Sequence, residues 1–301
     1  TFTNEEIIGN KERVYMNYKQ FPNDVKVGEN ILVDDGKIVL KVLKTNNKDE
    51  VQAEVVQGGP LFSKKGVNLP NTKISQPALT EKDIRDARFA IKHHVDWVAL
   101  SFVRTAQDVM DLKEIIDENA EYKVPIIAKI EKPEALENID EIIKVVDGLM
   151  VARGDLGVEM PIEEVPEHQK SLIGKAKLAR IPVIVATQMM ESMMTSLTPS
   201  RAEVNDVANA VYDGADAVML SGETSVGDYP VEVIETMTKI LQRVEDSPTI
   251  KVPTLKPKNR NDRYITKMIC YSAAKMVNLV KAKAISTLTY SGYTAFQISS
   301  Y

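Results

Sequence analysis

An α/β fold built on parallel strands, most economically a (β/α) barrel carrying a small all-β module, is what this chain of 301 residues predicts. Three observations carry the prediction. Buried strand-like runs alternate with helical ones at near-uniform spacing, at 96–102, 124–131, 148–152, 182–188 and 216–221, as parallel strands joined by helical crossovers require. Before them, up to about residue 76, the chain shows short β segments broken by turns. Polar groups then collect at the C-terminal ends of the five runs, where a barrel of this kind carries its chemistry: Ser101 and Arg104, Lys129 and Glu131, Gly154 and Asp155, Thr187 and Gln188, Ser221 and Glu223.

The elements follow in order. Ile31-Leu32-Val33 and the run from Ile38 to Leu43 flank Asp34-Asp35-Gly36, and Asp-Gly between apolar runs is a strong hairpin signal. A further segment, 51–56, leads through Gly58-Gly59-Pro60 to the loop 63–70, whose Lys64 and Lys65 read, on the loop alone, as solvated turn lysines. Thr80-Glu81-Lys82-Asp83 then starts an amphipathic helix running to about His93, with Thr80 as N-cap. Between the last two strands, 199–211 reads as a helix, and the methionines from Met189 to Met194 as core or interface filler. The polar run 251–262, with two prolines, reads as a linker. After it, 265–280 predicts a helix, 284–288 a strand, and 289–294 a hydroxyl-rich turn leading into a helix. The domain division is therefore a β module over 1–76, a barrel over 77–248, and the start of a third, α/β module over 249–301.

Composition removes several function classes. With 38 Lys and Arg against 43 Asp and Glu, the chain is mildly acidic and lacks a long basic run, which argues against nucleic acid as a partner. No apolar run reaches the roughly 18 residues that a membrane helix needs, so no membrane partner is expected. Cys270 stands alone, excluding an internal disulfide and suiting a reducing compartment, so a cytoplasmic location is the default. The first residue is Thr1, with no signal-peptide pattern behind it, and the chain reads as part of a longer protein. His93, His94 and His168 lack zinc-ligand spacing, and Gly174-Lys175 falls inside a helical pattern, which defeats a P-loop reading. Cys270, in an apolar helical context, reads as inert core.

The chemistry centres on Ile126-Ile127-Ala128-Lys129-Ile130-Glu131. Strand side chains alternate faces, so Lys129 and Glu131 point to one side, and the next strand delivers Asp155 in the same way. Two carboxylates and an ammonium at neighbouring strand ends suit a divalent ion, because Mg²⁺ takes few protein oxygens and keeps positions for substrate. From the residues alone a surface ion pair is the commoner meaning of Lys-x-Glu at a strand end, and both readings stay open.

These motifs closely resemble the pyruvate kinase family. The match rests on Lys64-Lys65-Gly66-Val67-Asn68-Leu69-Pro70, Ala128-Lys129-Ile130-Glu131, the run 150–157 containing Arg153-Gly154-Asp155, Ala186-Thr187-Gln188-Met189, Arg201-Ala202-Glu203 and the run 219–224 containing Ser221-Gly222-Glu223, in the family's order. The resemblance implies a (β/α)8 TIM barrel, here partial (strands 4 to 8), with an inserted β lid and the start of an α/β C-terminal domain. It implies phosphoryl transfer from phosphoenolpyruvate to ADP, giving pyruvate and ATP. Lys129 would stabilise the enolate oxygen, and Glu131 and Asp155 would hold Mg²⁺ or Mn²⁺. Gly154, Asp155 and Thr187 would bind the substrate carboxylate, Lys65 a nucleotide phosphate, and Thr187 with Ser221 and Glu223 would serve proton delivery to carbon. The family's K⁺ and phosphate segment, of the type Arg-x-Asn-x-Ser-His-Gly, does not occur in this chain. The expectation is therefore a homotetrameric enzyme whose residues 1–301, taken alone, are inactive or poorly folded. The competing readings are a Mg²⁺-dependent aldolase or lyase barrel acting on pyruvate-like enolates, and a non-catalytic binding or assembly module.

Overall fold

The computed structural model describes residues 1–70, 72–75, 77–247, 256–257 and 263–301, and the chain divides into two compact units, 1–146 with 151–168 and 147–150 with 169–301. The first unit opens with β1 (Phe2–Thr3), β2 (Val14–Tyr15), a single helical turn α1 (Phe21–Asp24), β3 (Asn30–Val33), β4 (Ile38–Thr45), β5 (Glu50–Gln57) and β6 (Val67–Asn68). Its six strands form one sheet in the order β2-β1-β5-β4-β3-β6, antiparallel except where β1 meets β2. The expected hairpin is there: Val33 pairs with Ile38 across a turn in which Asp34, Asp35 and Gly36 all take left-handed backbone (φ 55°, 57° and 81°). Aspartate and glycine are among the few residues that enter that region readily, so the turn chemistry sets the register of the strands it joins. Alternation then puts Ile31, Val33, Ile38, Val42 and Val51 on one face, where they bury against Phe2, Phe21 and Leu69.

The pattern changes at Thr80, whose side chain and Asp83 cap one another reciprocally at the start of α2 (Glu81–Lys92). Strands β7 (Val98–Leu100) and β8 (Ile126–Ile130) pair in parallel, joined by α3 (Ala106–Asn119), which opens with the same device at Thr105 and Asp108. After β8 come α4 (Pro133–Glu137), α5 (Ile139–Ile142), β9 (Gly148–Ala152) and α6 (Arg153–Glu159). β9 is buried at every residue, as a strand covered on both faces must be, and its residues divide between the two units.

In the second unit, α7 (Val165–Ala179, its first turn in the first unit) precedes β10 (Val183–Ala186), α8 (Arg201–Asp213), β11 (Ala217–Met219), α9 (Gly222–Ser225), α10 (Pro230–Glu245), α11 (Tyr264–Val280) and α12 (Tyr293–Ser299). β10 and β11 pair in parallel, and the start of β9 joins them through a Leu149 N–H to Pro182 carbonyl bond of 2.9 Å. Met189, Met190 and Met193 are fully buried, so the methionine-rich piece is core. Cys270 is buried within α11, and burial pushes its thiol above the ordinary value. Two expectations end differently. The proposed linker falls almost wholly outside the described residues, and 284–288 is not a strand: Leu288 is fully exposed and no described strand lies alongside to pair with the segment.

Candidate functional site

The end of β8 delivers Lys129 and Glu131 together, as alternation predicts. Lys129 Nζ lies 2.7 Å from Glu131 Oε1 and donates to Ser101 Oγ at 3.0 Å, Ser101 standing just beyond the neighbouring strand β7. Glu131 is completely buried. Its Oε2 accepts the Phe102 N–H at 2.6 Å, from a residue whose own backbone is left-handed (φ 53°). Oε1 accepts no hydrogen bond of acceptable geometry, so its contact with Lys129 is ionic only. A buried carboxylate oxygen in that state is costly, and a bound cation would offset the cost.

Asp155 stands in the first turn of α6, half-buried. Burial first, and then the charge of Glu131, push its carboxyl above the ordinary carboxylate value, while Lys129 pulls weakly the other way. Two carboxylates with a single ammonium to share are short of positive charge. Among the described residues no group of three or more Asp, Glu, His or Cys gathers for a metal, which disfavours zinc but not Mg²⁺, for which one or two carboxylates suffice.

Lys65 sits in the loop before β6, with its ammonium 2.8 Å from Asp34 Oδ1 and 6.0 Å from the centre of the Phe62 ring. The Asp34 partnership raises the Lys65 value and lowers that of Asp34. Asp35, next along the same turn, adds to the upward pressure on Asp155.

In the second unit, Thr187 and Gln188 follow β10 in left-handed backbone (φ 71° and 54°), a conformation that costs a β-branched residue in particular. The Thr187 hydroxyl donates to the Ala186 carbonyl at 2.6 Å. Glu223, buried in α9, holds the far side of this turn: its Oε1 accepts the Met190 N–H at 3.1 Å and its Oε2 the Ser221 N–H at 2.8 Å. Glu203 ties down the next stretch, accepting from the Ser192 N–H and hydroxyl (2.6 and 2.5 Å) and from the Ser200 N–H (2.7 Å).

Residues 2–234 match the family described as the pyruvate kinase barrel domain. The chain belongs to the pyruvate kinase family. Proteins named pyruvate kinase from Mycobacterium intracellulare and Corynebacterium glutamicum are each 48% identical to it, over 97% and 99% of this chain and 60% and 61% of their own length. The crystal structure of a pyruvate kinase from Cryptosporidium parvum superposes with a TM-score of 0.83 at 36% identity, covering 99% of this chain and 63% of that one. The chain thus spans about three fifths of the length of the relatives it matches, and its fold class is α/β, a five-stranded parallel sheet with a six-stranded, mostly antiparallel one, as expected of part of such a barrel domain.

Against the family pattern, the structure brings Lys129 and Glu131 together, and Ser221 with Glu223, and sets Gly154 beside Asp155, on which Glu131 and Lys129 act electrostatically, in the same helical turn. Lys65 is held by Asp34. Sequence reasoning missed the Phe102 amide on Glu131 and the grip of Glu223 on Met190, since neither pairing has a local signature. Arg104, counted among the strand-end groups, is turned to the Ile74 carbonyl at 2.9 Å.

Proposed function

We propose that this chain carries catalytic groups of a pyruvate kinase, moving the phosphoryl group of phosphoenolpyruvate onto ADP to give pyruvate and ATP. The observation that supports it most is the Lys129 ammonium at 2.7 Å from the buried Glu131 carboxylate, with Asp155 raised by burial and then by that same carboxylate. When phosphorus leaves phosphoenolpyruvate, negative charge grows on the enolate oxygen. A fixed ammonium neutralises it without reorganisation, which is the larger part of phosphoryl-transfer catalysis. Lys129 is oriented for this by Glu131 and Ser101.

The residues fit a divalent cation, Mg²⁺ or Mn²⁺: Glu131 Oε1 is buried without a hydrogen bond and Asp155 is short of compensating charge. Those two carboxylates would hold it. Bound there, such an ion supplies Lewis-acid neutralisation of phosphoryl oxygens. Gly154 and Asp155, in the first turn of α6, together with Thr187, are assigned the substrate carboxylate by the motif match. Lys65 is assigned a nucleotide phosphate, with phosphate oxygens replacing Asp34 as its partner. Proton delivery to the enolate carbon is assigned to Thr187 and the Ser221 region. Glu223, both of whose oxygens already accept backbone N–H groups, serves it by holding the turn. A homotetramer, a cytoplasmic location and a division into lid (1–76), barrel (77–248) and C-terminal start (249–301) complete the reading, and these residues hold no K⁺ segment of the family's type. Among the described residues no helix is long and apolar enough to cross a membrane.

The test is Lys129→Met in the intact protein. Pyruvate formation from phosphoenolpyruvate and ADP should fall by roughly 10²–10³ in kcat, the scale for losing one charge-stabilising group, while phosphoenolpyruvate binding persists. Unchanged turnover removes Lys129 from its role, and loss of phosphoenolpyruvate without ADP favours the lyase reading. Residues 1–301 alone should give no turnover.

A further inference from the structure

A second ionic cluster lies within the first unit, one residue beyond Glu131 and four beyond Asp155 in the chain. Lys132 Nζ and Glu159 Oε1 are 2.7 Å apart, their side chains only 8% and 2% exposed. Asn68 Nδ2 donates to that same Glu159 oxygen at 2.9 Å. Three segments far apart in the chain meet here. Asn68 ends β6, the last strand of the β module. Lys132 follows Glu131 and stands at the N-cap of α4. Glu159 is the last residue of α6, four residues, about one helical turn, after Asp155.

A buried ion pair is a poor device for stability, since apolar groups of equal volume serve as well or better. What it supplies is geometry: directional contacts that fix where each backbone segment sits. Here the segments are the two that carry Glu131 and Asp155, and the third contact comes from the β module that precedes them in the chain. We propose that Asn68, Lys132 and Glu159 are positioning residues, a buried strut that sets the spacing of the Glu131 and Asp155 carboxylates and makes that spacing depend on how the β module is seated. None of the three touches reacting atoms. The ion pair locks the end of β8 to the end of α6. The Asn68 amide neutralises part of the remaining charge on Glu159 only while β6 stays in place, so movement of the module loosens α6 and with it Asp155. The inference rests on the divalent-cation reading above.

The test uses the intact protein and Mn²⁺ alone as probe, its free concentration followed by electron paramagnetic resonance, with thermal unfolding measured in parallel. In the paired variant Lys132→Met with Glu159→Leu, apolar groups replace the buried charges, and the unfolding temperature should hold or rise. Mn²⁺ affinity should nevertheless fall about 10-fold or more, the usual effect of removing support behind a metal ligand. Asn68→Ala alone, which leaves the ion pair intact, should weaken Mn²⁺ in the same direction, and added to the paired variant it should change nothing further, because its partner is gone. Affinities within about twofold of the parent in both backgrounds, or an Asn68→Ala effect that persists undiminished in the paired variant, overturn the proposal. Should the paired variant not fold, Asn68→Ala alone decides. A parent protein whose Mn²⁺ binding survives Asp155→Asn sinks the metal reading itself, a result distinct from any of these.

Discussion

Replacing Glu223 by Gln tests whether this buried acid works by holding backbone or by moving a proton. The side chain keeps its size, but one carboxylate oxygen becomes an amide nitrogen and must face either the Met190 N–H, now 3.1 Å from Oε1, or the Ser221 N–H, 2.8 Å from Oε2. Two donors then confront each other in a site that is 3% exposed. Leaving one buried N–H without an acceptor costs about 1–3 kcal/mol. If the cost is released by local opening, exchange of that amide with solvent speeds up by roughly 5- to 150-fold. The loss reaches further, because Thr187 and Gln188 hold left-handed backbone (φ 71° and 54°) just ahead of Met190. With that anchor gone, about 1–2 kcal/mol per residue of conformational cost drives the turn to relax and carries the Thr187 hydroxyl with it. Hydrogen exchange at Met190 and Ser221, measured beside turnover, is the assay. A variant that loses activity while both amides exchange as slowly as before would refute the scaffold role and return Glu223 to proton transfer.

Other consequences follow from neighbouring residues. Thr187→Gly removes a β-branched side chain from left-handed backbone, a relief of about 1–2 kcal/mol set against roughly 0.5–1 kcal/mol of added chain entropy. The unfolding midpoint should therefore hold or rise while turnover falls, and a clear loss of stability would mean that the side chain's contacts outweigh the strain. For Glu203, burial alone would raise the carboxyl, but hydrogen bonds from Ser192 and Ser200 outweigh it and hold the group below its ordinary value of 4.5. An acid depressed in the folded state contributes stability that is fully present above its ordinary value and is lost as pH falls through the depressed one. The stability gap between the parent and Glu203→Ala should accordingly be flat near neutrality and shrink in acid; a gap that persists at low pH contradicts the assignment.

Much of this protein was determined by its sequence alone, wherever cause and effect lie within a few residues. Thr80 and Asp83 cap a helix because three residues bring a hydroxyl and a carboxylate to each other's backbone N–H. Asp34-Asp35-Gly36 turns a hairpin because those residues accept left-handed backbone. Lys129 and Glu131 meet because two residues of strand return to the same face. The strand expected at 284–288 failed for the complementary reason: an extended apolar run becomes a strand only when a partner lies beside it, and no spacing within the run can report that. Tertiary structure alone decided that the Phe102 amide would hold Glu131 across 29 residues, that Glu223 would grip Met190 across 33, and that Asn68 would reach Glu159 across 91. Asp155 was visible as an acid, but its elevation came from burial and from the carboxylate of Glu131, just past the end of β8. Capping, turn and strand-alternation geometry is local and leaves its mark in neighbouring residue types, whereas hydrogen bonds between distant segments, desolvation and charge depend on whatever the folded chain brings near.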